Sequence, residues 1–299
     1  SAYYAAANFN KTVFFLDLTD ADDFSKMLEY LKTSDIVILN YKPGDAEKLG
    51  LDYKSIRVHN PEIIYAEING FGADSPRVAF DVVLQAESGF MHINGEPGAK
   101  PLKMPVALID ILAAHQLKQG ILCALLKKQQ TGKGSKVEVS LYDAAISSLA
   151  NQATNWLMNG QAPTAIGSLH PNIAPYGDMF QTADERWIVF AVGSDAQFSK
   201  LWNTLSLHEN GSFEEFSSNP LRLENRAKLQ EILRTAIKRQ PVGYWAEKFD
   251  GQHIPYGIVR NFQEVFDSPN AKDLILEEVQ EGVHTRRVRS AVFKIQNDN

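Results

Sequence analysis

Asp35-Ile36-Val37-Ile38-Leu39, running directly into Asn40-Tyr41-Lys42-Pro43-Gly44, is the stretch whose reading decides the fold. An unbroken aliphatic run that ends in a turn signal describes a buried strand of the kind parallel sheets use. On its amino side, residues 20–32 carry Phe24, Met27, Leu28 and Leu31 at helical spacing. Before that helix, Thr12-Val13-Phe14-Phe15-Leu16 reads as another strand. On the carboxyl side, short helical pieces lead to Glu62-Ile63-Ile64-Tyr65-Ala66-Glu67-Ile68, a third strand, which runs into Asn69-Gly70-Phe71-Gly72. Strand, helix and strand in this order predict parallel pairing through right-handed crossovers. Ligands of such sheets sit beyond the carboxyl ends of the strands, so the loops after Leu39 and Ile68 are the places to look for a site.

Further along, Met104-Pro105-Val106-Ala107-Leu108-Ile109-Asp110-Ile111-Leu112-Ala113-Ala114 sets a lone carboxylate in almost wholly apolar surroundings. A helical pattern continues through Leu117, Gly120, Ile121, Ala124 and Leu125. The turn Thr131-Gly132-Lys133-Gly134 ends that helix with Gly132 as C-cap, and Val137-Glu138-Val139-Ser140-Leu141 follows as a strand. An ionised carboxylate in apolar surroundings is unfavourable unless something compensates it. Asp110 reads locally in two ways. It is an N-cap that accepts the first free N–H groups of the helix, or a nucleophile whose charge that helix end holds.

Several classes of function are disfavoured. The net charge of −6 does not suit nucleic acid or an anionic membrane. No run approaches the length needed to span a bilayer, and no charged-then-apolar leader opens the sequence. The single cysteine, Cys123, cannot form an internal disulfide, fits a reduced cytoplasmic setting and reads as a small core residue. The histidines do not fall at metal-ligand spacings, so no metal site is expected. His115 points around its helix away from Asp110, and His92, His170 and His253 read as loop residues. Gly70-Phe71-Gly72 lacks the third glycine of a dinucleotide fingerprint, and neither a phosphate loop nor a G-x-S-x-G elbow occurs. Lys42, Lys48, Arg77 and Lys103 read as solvated surface, or as partners for a phosphate-bearing ligand.

From about Tyr176 the character changes. Residues 178–192 read as two strands around a tight turn. Residues 225–239 follow as an amphipathic helix with Leu229, Ile232, Leu233 and Ile237 on one face. The fold class is therefore α/β, a parallel-sheet domain with a smaller α+β unit behind it.

Taken together, these segments closely resemble the family III CoA-transferases, the CaiB/BaiF type that includes formyl-CoA transferase, carnitine CoA-transferase and α-methylacyl-CoA racemase. The resemblance covers nearly the whole chain. It includes Ala7-Asn8-Phe9-Asn10-Lys11, Asn40-Tyr41-Lys42-Pro43-Gly44, Gly70-Phe71-Gly72 and Phe80-Asp81-Val82-Val83-Leu84-Gln85-Ala86. The strongest block joins the Asp110 helix to Thr131-Gly132-Lys133-Gly134 and Ser140-Leu141-Tyr142-Asp143-Ala144. His170-Pro171-Asn172-Ile173-Ala174-Pro175-Tyr176 and the stretch from Asn219-Pro220 to Arg226 match further on.

The resemblance implies that Asp110 is the catalytic carboxylate. It would attack an acyl-CoA thioester, form a mixed anhydride and then an aspartyl-CoA thioester, and so pass CoA between carboxylic acids. CoA-binding positions are implied at Asn40, Tyr41, Lys42 and Lys48, with Gly70, Phe71, Gly72 and Phe80 nearby. Coenzyme A is then a substrate, no cofactor is held tightly, and the partners are an acyl-CoA and a small carboxylic acid. A Rossmann-like large domain over 1–160 is implied, with a linker over 161–175, a small domain over 176–265 and a returning segment over 266–299. An interlocked homodimer is implied as well. Relatives of this kind begin with a further strand–helix unit that carries part of the CoA pocket, and that unit is expected to be missing here. They also end with a segment returning to the first domain, whereas this chain stops at Phe293-Lys294-Ile295-Gln296-Asn297-Asp298-Asn299.

Two departures narrow the activity. The racemases carry Gly-His-Asp where this chain has Ala79-Phe80-Asp81, and Phe80 cannot move a proton. Transferase is therefore favoured over racemase, and a non-catalytic CoA-ester-binding protein is the other reading. Ala165-Ile166-Gly167-Ser168 has one glycine where the formyl-CoA branch has a glycine run, which argues against oxalate/formyl exchange and for a bulkier or different acid.

Overall fold

The computed structural model describes residues 2–209, 212–280 and 282–296. The chain divides into two compact units, one of Leu16–Ser168 and one of Ser1–Phe15 with Leu169–Asn299. It opens with helix α1 (Ala2–Asn8). The strand expected at Thr12-Val13-Phe14-Phe15-Leu16 does not form, and residues 11–17 have no regular structure. A strand needs a hydrogen-bonded neighbour as well as apolar side chains. Among the described residues this run joins none of the sheets, and Phe15 is 91% exposed.

The Leu16–Ser168 unit is built on a three-stranded parallel sheet of β1 (Ile36–Leu39), β2 (Ile64–Asn69) and β3 (Ser135–Ser140), in that order. Ile36 pairs with Ile64, and Ile64 with Ser135. Before β1 comes α2 (Ala21–Thr33), whose N-cap Asp20 accepts from the N–H groups of Asp22 and Asp23, both at 3.0 Å. The apolar face read from the sequence, Phe24, Met27, Leu28 and Leu31, packs with Leu39, Ile56 and Tyr65 in one cluster. Between β1 and β2 lie α3 (Asp45–Lys48) and α4 (Tyr53–His59), the latter capped by Asp52. Between β2 and β3 lie α5 (Asp81–Glu87), α6 (Phe90–Ile93) and α7 (Leu108–Thr131). After β3 come α8 (Leu141–Ser147) and α9 (Ala150–Asn159).

Helix α7 sets the geometry of this unit. Ile109, Ala113, Leu117 and Ala124 are buried on one side of it, at the spacing of a single helix face. Gly120 belongs to that side for a reason of space. A Cβ there would lie 2.5 Å from Cγ1 of Val137 on β3. The helix ends at Gly132, whose N–H bonds to the Lys128 carbonyl at 2.8 Å, as the C-cap reading expected. Just beyond, Gly134 N–H bonds to the Pro61 carbonyl at 3.1 Å, and Lys128 pairs with Asp35 at 3.2 Å. Both contacts lie before the amino ends of β1 and β2. The first turn of α7 is therefore at the opposite, carboxyl end of the sheet.

Two readings of this region change. α7 is the one helix among the described residues long and apolar enough to cross a membrane, so the expectation that no run reaches that length does not hold. One face of it is buried against the sheet, and the opposite face is exposed. Cys123 is exposed and not a core residue. It lies on the outer face of α7 with Leu122 and Leu126, which are 54% and 61% exposed.

The other unit contains an antiparallel sheet of β4 (Tyr176–Gln181), β5 (Trp187–Ala191) and β6 (Tyr256–Ile258). The first two are the hairpin read over residues 178–192. Helices α10 (Asp195–Thr204), α11 (Asn219–Glu224), α12 (Arg226–Ile237) and α13 (Val242–Gln252) enclose an aromatic core of Phe190, Phe198, Trp202 and Phe249. Arg222 is fully buried among these. It donates to the carbonyls of Ala174 (2.6 Å) and Phe216 (3.0 Å) and to Asp195 Oδ1 (2.7 Å), which satisfies a charge that burial would otherwise penalise. A final hairpin of β7 (Ile275–Gln280) and β8 (Val283–Val288) packs with α1, where Arg287 lies 4.1 Å over the Phe9 ring.

The α7–sheet contact has a testable sign. Gly to Ala inside a helix ordinarily gains about 1 kcal/mol. Gly120→Ala is expected to lose about 1–2 kcal/mol instead, because overpacking against Val137 outweighs propensity. Urea unfolding of the variant beside the parent measures it.

Candidate active site

Asp110 is not the N-cap of its helix. Ala107 occupies that position and offers no side-chain bond, and Asp110 is the third residue of α7. The capping oxygen comes from a different helix. Asp81, the first residue of α5, accepts the N–H of Ile109 through Oδ2 at 2.7 Å. Its Oδ1 accepts from Gln85 Nε2 at 2.5 Å. Gln85 is fully buried and accepts the Met104 N–H through Oε1 at 2.7 Å. With its cap supplied from outside, the helix leaves Asp110 free.

Among the described residues no hydrogen bond or ion pair is made by the Asp110 carboxylate. The residue keeps an exposed side, yet partial burial among apolar neighbours pushes its carboxyl above the usual aspartate range, and the nearby charge of Asp81 adds to that. The helix end alone was expected to hold this charge. In the structure, desolvation and the neighbouring carboxylate move the carboxyl pKa upward instead. A more basic carboxylate is also a better nucleophile.

The other candidate residues separate into two groups. Asn40 donates through Nδ2 to the Ile68 carbonyl at 3.1 Å, tying the loop after β1 to the end of β2. At that end Asn69 accepts the Gly72 N–H at 2.8 Å and donates to Glu138 at 2.9 Å, which folds the glycine loop back over the strand. Gly70 must be glycine, because a Cβ there would sit 2.3 Å from that of Ala79. Phe71 stacks obliquely on Tyr142, with ring centroids 5.8 Å apart, and lies under the guanidinium of Arg77 at 4.1 Å. Arg77 is held in turn by Glu87 through two hydrogen bonds. Phe80 sits at the N-cap position of α5, 67% exposed, next to Asp81. Direct contacts therefore link Asn40, the Gly70-Phe71-Gly72 loop, the Ala79-Phe80-Asp81 segment and the first turn of α7.

Tyr41, Lys42 and Lys48 do not join that chain of contacts. Tyr41 packs half-buried beside the cluster under β1. Lys48 pairs with Asp45 at 2.8 Å within α3. Lys42 lines a polar cleft of about 290 Å³ with Tyr53, Tyr65, Glu67 and Lys136. Lys136 bridges Glu67 (3.0 Å) and Glu138 (2.9 Å) there. Partial burial works against its charge, but the two carboxylates prevail and its net shift is upward.

Two residues of this site were not singled out from the sequence. Asp81 and Gln85 stand one helical turn apart at the start of α5, a spacing that puts both on one face. That spacing was the available signal, but their target, a backbone 19 to 28 residues further on, is visible only in three dimensions. Of the histidines, His115 lies 3.1 Å from Lys118 Nζ, and His92 is in α6 and not in a loop. Among the described residues no three His, Cys, Asp or Glu side chains gather as a metal site.

Comparison with known proteins gives a consistent result. The family model described as CoA-transferase family III matches residues 1–298. A succinate–glutarate CoA-transferase of Agrobacterium fabrum is 33% identical over 99% of this chain and 75% of its own length. An acetyl-CoA:oxalate CoA-transferase of Acetobacter aceti is 30% identical over 93% of this chain and 72% of its own. The crystal structure of a CaiB/BaiF family protein from Brucella suis superposes with a TM-score of 0.84 at 32% identity, covering all of this chain and 79% of that one.

The raised carboxyl predicts a pH-dependent stability. Well below the ordinary aspartate range both folded and unfolded states are protonated, and Asp110→Asn should match the parent. As pH rises, the unfolded state releases its proton more readily than the folded one, so the Asp110 carboxylate costs stability. Asp110→Asn is therefore expected to melt above the parent at pH 7, with the difference closing toward pH 3. Thermal melts of both proteins across that range test this.

Proposed function

The chain belongs to family III of the CoA-transferases, and from that premise we propose that it moves CoA between carboxylic acids by covalent catalysis at Asp110. The observation that carries this reading is an aspartate in the first turn of α7, unpaired, raised in basicity and open on one side. The Asp110 carboxylate attacks the thioester carbonyl of the donor acyl-CoA. The C–S bond breaks, CoA leaves as thiolate, and an aspartyl–acyl anhydride remains. The thiolate returns to the aspartyl carbonyl, which forms an aspartyl-CoA thioester and releases the donor carboxylate. An acceptor carboxylate then attacks that thioester. The thiolate expelled attacks the acceptor's acyl carbonyl, which regenerates Asp110 and gives the new acyl-CoA. Carboxylate is exchanged for carboxylate throughout, so no nucleotide hydrolysis is required. Backbone N–H groups at the start of α7 are available to the tetrahedral oxyanions.

CoA binds in this reading along the carboxyl end of the sheet, over Asn40, Gly70, Phe71, Gly72 and Phe80. Tyr41, Lys42 and Lys48 offer a ring and cations toward the nucleotide. The donor and acceptor are short dicarboxylates of the succinate and glutarate size, by likeness to the Agrobacterium relative. Proton shuttling at an α-carbon is disfavoured because Phe80 occupies the position beside Asp81 that a second base would need. The working form is a homodimer. α7 is apolar on its outer side as well, with Ile111, Leu122 and Leu126 between 48% and 61% exposed, and a helix apolar all round is ordinarily covered.

Incubation with succinyl-CoA followed by hydroxylamine should convert Asp110 to its hydroxamate, read by peptide mass. Asp110→Asn should lose transfer activity by roughly a thousandfold or more. An unmodified Asp110, or a fully active Asp110→Asn, would sink the mechanism. Sedimentation velocity should give the dimer mass, and Leu122→Lys with Leu126→Lys should shift it toward the monomer.

A further inference from the structure

We propose that Asp81 and Gln85 are positioning residues for the nucleophile, a clamp on α5 that holds the segment 104–109 so that Asp110 faces outward unpaired. The inference rests on the transferase reading and adds residues that the reading does not require. Its basis is a run of partly buried hydrogen bonds. Asp81 Oδ2 receives the Ile109 N–H at 2.7 Å, one residue before Asp110. Asp81 Oδ1 receives Gln85 Nε2 at 2.5 Å. Gln85 Oε1 receives the Met104 N–H at 2.7 Å, and its Nε2 also faces the carbonyls of Met104 and Val106, each at 3.5 Å. Gln85 is wholly excluded from solvent. Every polar atom of the two side chains is thus turned toward the entry into α7 or toward the other member of the pair.

The arrangement matters for chemistry because an acidic residue at the third position of a helix is otherwise well placed to fold back onto the N-cap N–H, as in a capping box. A nucleophile used that way would have its lone pairs occupied. Here the cap residue, Ala107, has no polar side chain, and the positive end of the helix is served by Asp81 instead. Asp81 itself is committed through both oxygens, so it supports Asp110 and does not compete for substrate. The α5 face that carries the clamp is fixed by Leu84, which is fully buried in the cluster with Ile109 and Ala113.

The test compares Asp81→Ala, Asp81→Asn and Gln85→Leu with the parent, using succinyl-CoA as donor and glutarate as acceptor. Asp81→Ala and Gln85→Leu are expected to lower kcat about 100-fold, the scale of a small misplacement of a reacting group, with KM for succinyl-CoA within about twofold. Asp81→Asn keeps an oxygen for the Ile109 N–H and is expected to recover most of the loss. Hydroxylamine trapping at Asp110 should slow in parallel with kcat. Should Asp81→Ala fail to fold, Gln85→Leu and Asp81→Asn carry the comparison. Parent protein that traps at Asp110, together with variants that trap and turn over at the parent rate, overturns the clamp and leaves the mechanism standing. A variant that loses melting temperature with unchanged kcat reduces the pair to a structural role and also overturns it. Parent protein that never traps at Asp110 removes the transferase mechanism itself, and the clamp with it.

Discussion

The seating of α7 on the parallel sheet is the contact from which the rest of the Leu16–Ser168 unit follows. One face of the helix, Ile109, Ala113, Leu117 and Ala124, is buried, and Gly120 lets the backbone approach Val137 more closely than any side chain would allow. The lower end is tied to the start of the strands through Gly134 and Pro61 and through Lys128 and Asp35. A rigid helix fixed at its far end delivers its first turn to one place, the carboxyl end of the sheet, where α/β folds bind ligands. Close packing at one end thus sets the position of a carboxylate at the other.

What that carboxylate can do depends on its neighbours. A helix N-terminus attracts negative charge, and left to itself it would draw Asp110 into capping. The structure supplies a second carboxylate for that task from a neighbouring helix, so one aspartate serves the backbone and the other is left free. The two are close enough for the charge of Asp81 to raise Asp110. The outcome is an aspartate whose ionised form is disfavoured by its surroundings, as is common for groups held ready for chemistry.

Much of this was legible in the chain itself. The strands at residues 36–39 and 64–69, the amphipathic face of α2, the Gly132 cap and the hairpin over 178–192 follow from apolar runs, helical spacing and turn chemistry, all of which are local. The reading failed where burial was inferred from composition alone. Thr12-Val13-Phe14-Phe15-Leu16 is as apolar as β1, yet it joins none of the sheets among the described residues. Cys123 lies in an apolar stretch but on the uncovered side of its helix. The site divides in the same manner. Asp110 was conspicuous as a charge in apolar surroundings, whereas Asp81 and Gln85 looked like an ordinary polar start to a helix.

The sequence by itself determined the alternation of strand and helix, the parallel order and the residue around which the chemistry is proposed. Those features are carried by side-chain periodicity and by motifs contiguous in the chain. Only the tertiary structure decided that Asp110 is the third residue of its helix and not the cap, and that the cap comes from Asp81, 28 positions away from the N–H it receives. Whether a helix end is capped locally or from outside depends on which side chain reaches an orphan N–H in space. Sequence separation carries no record of that distance.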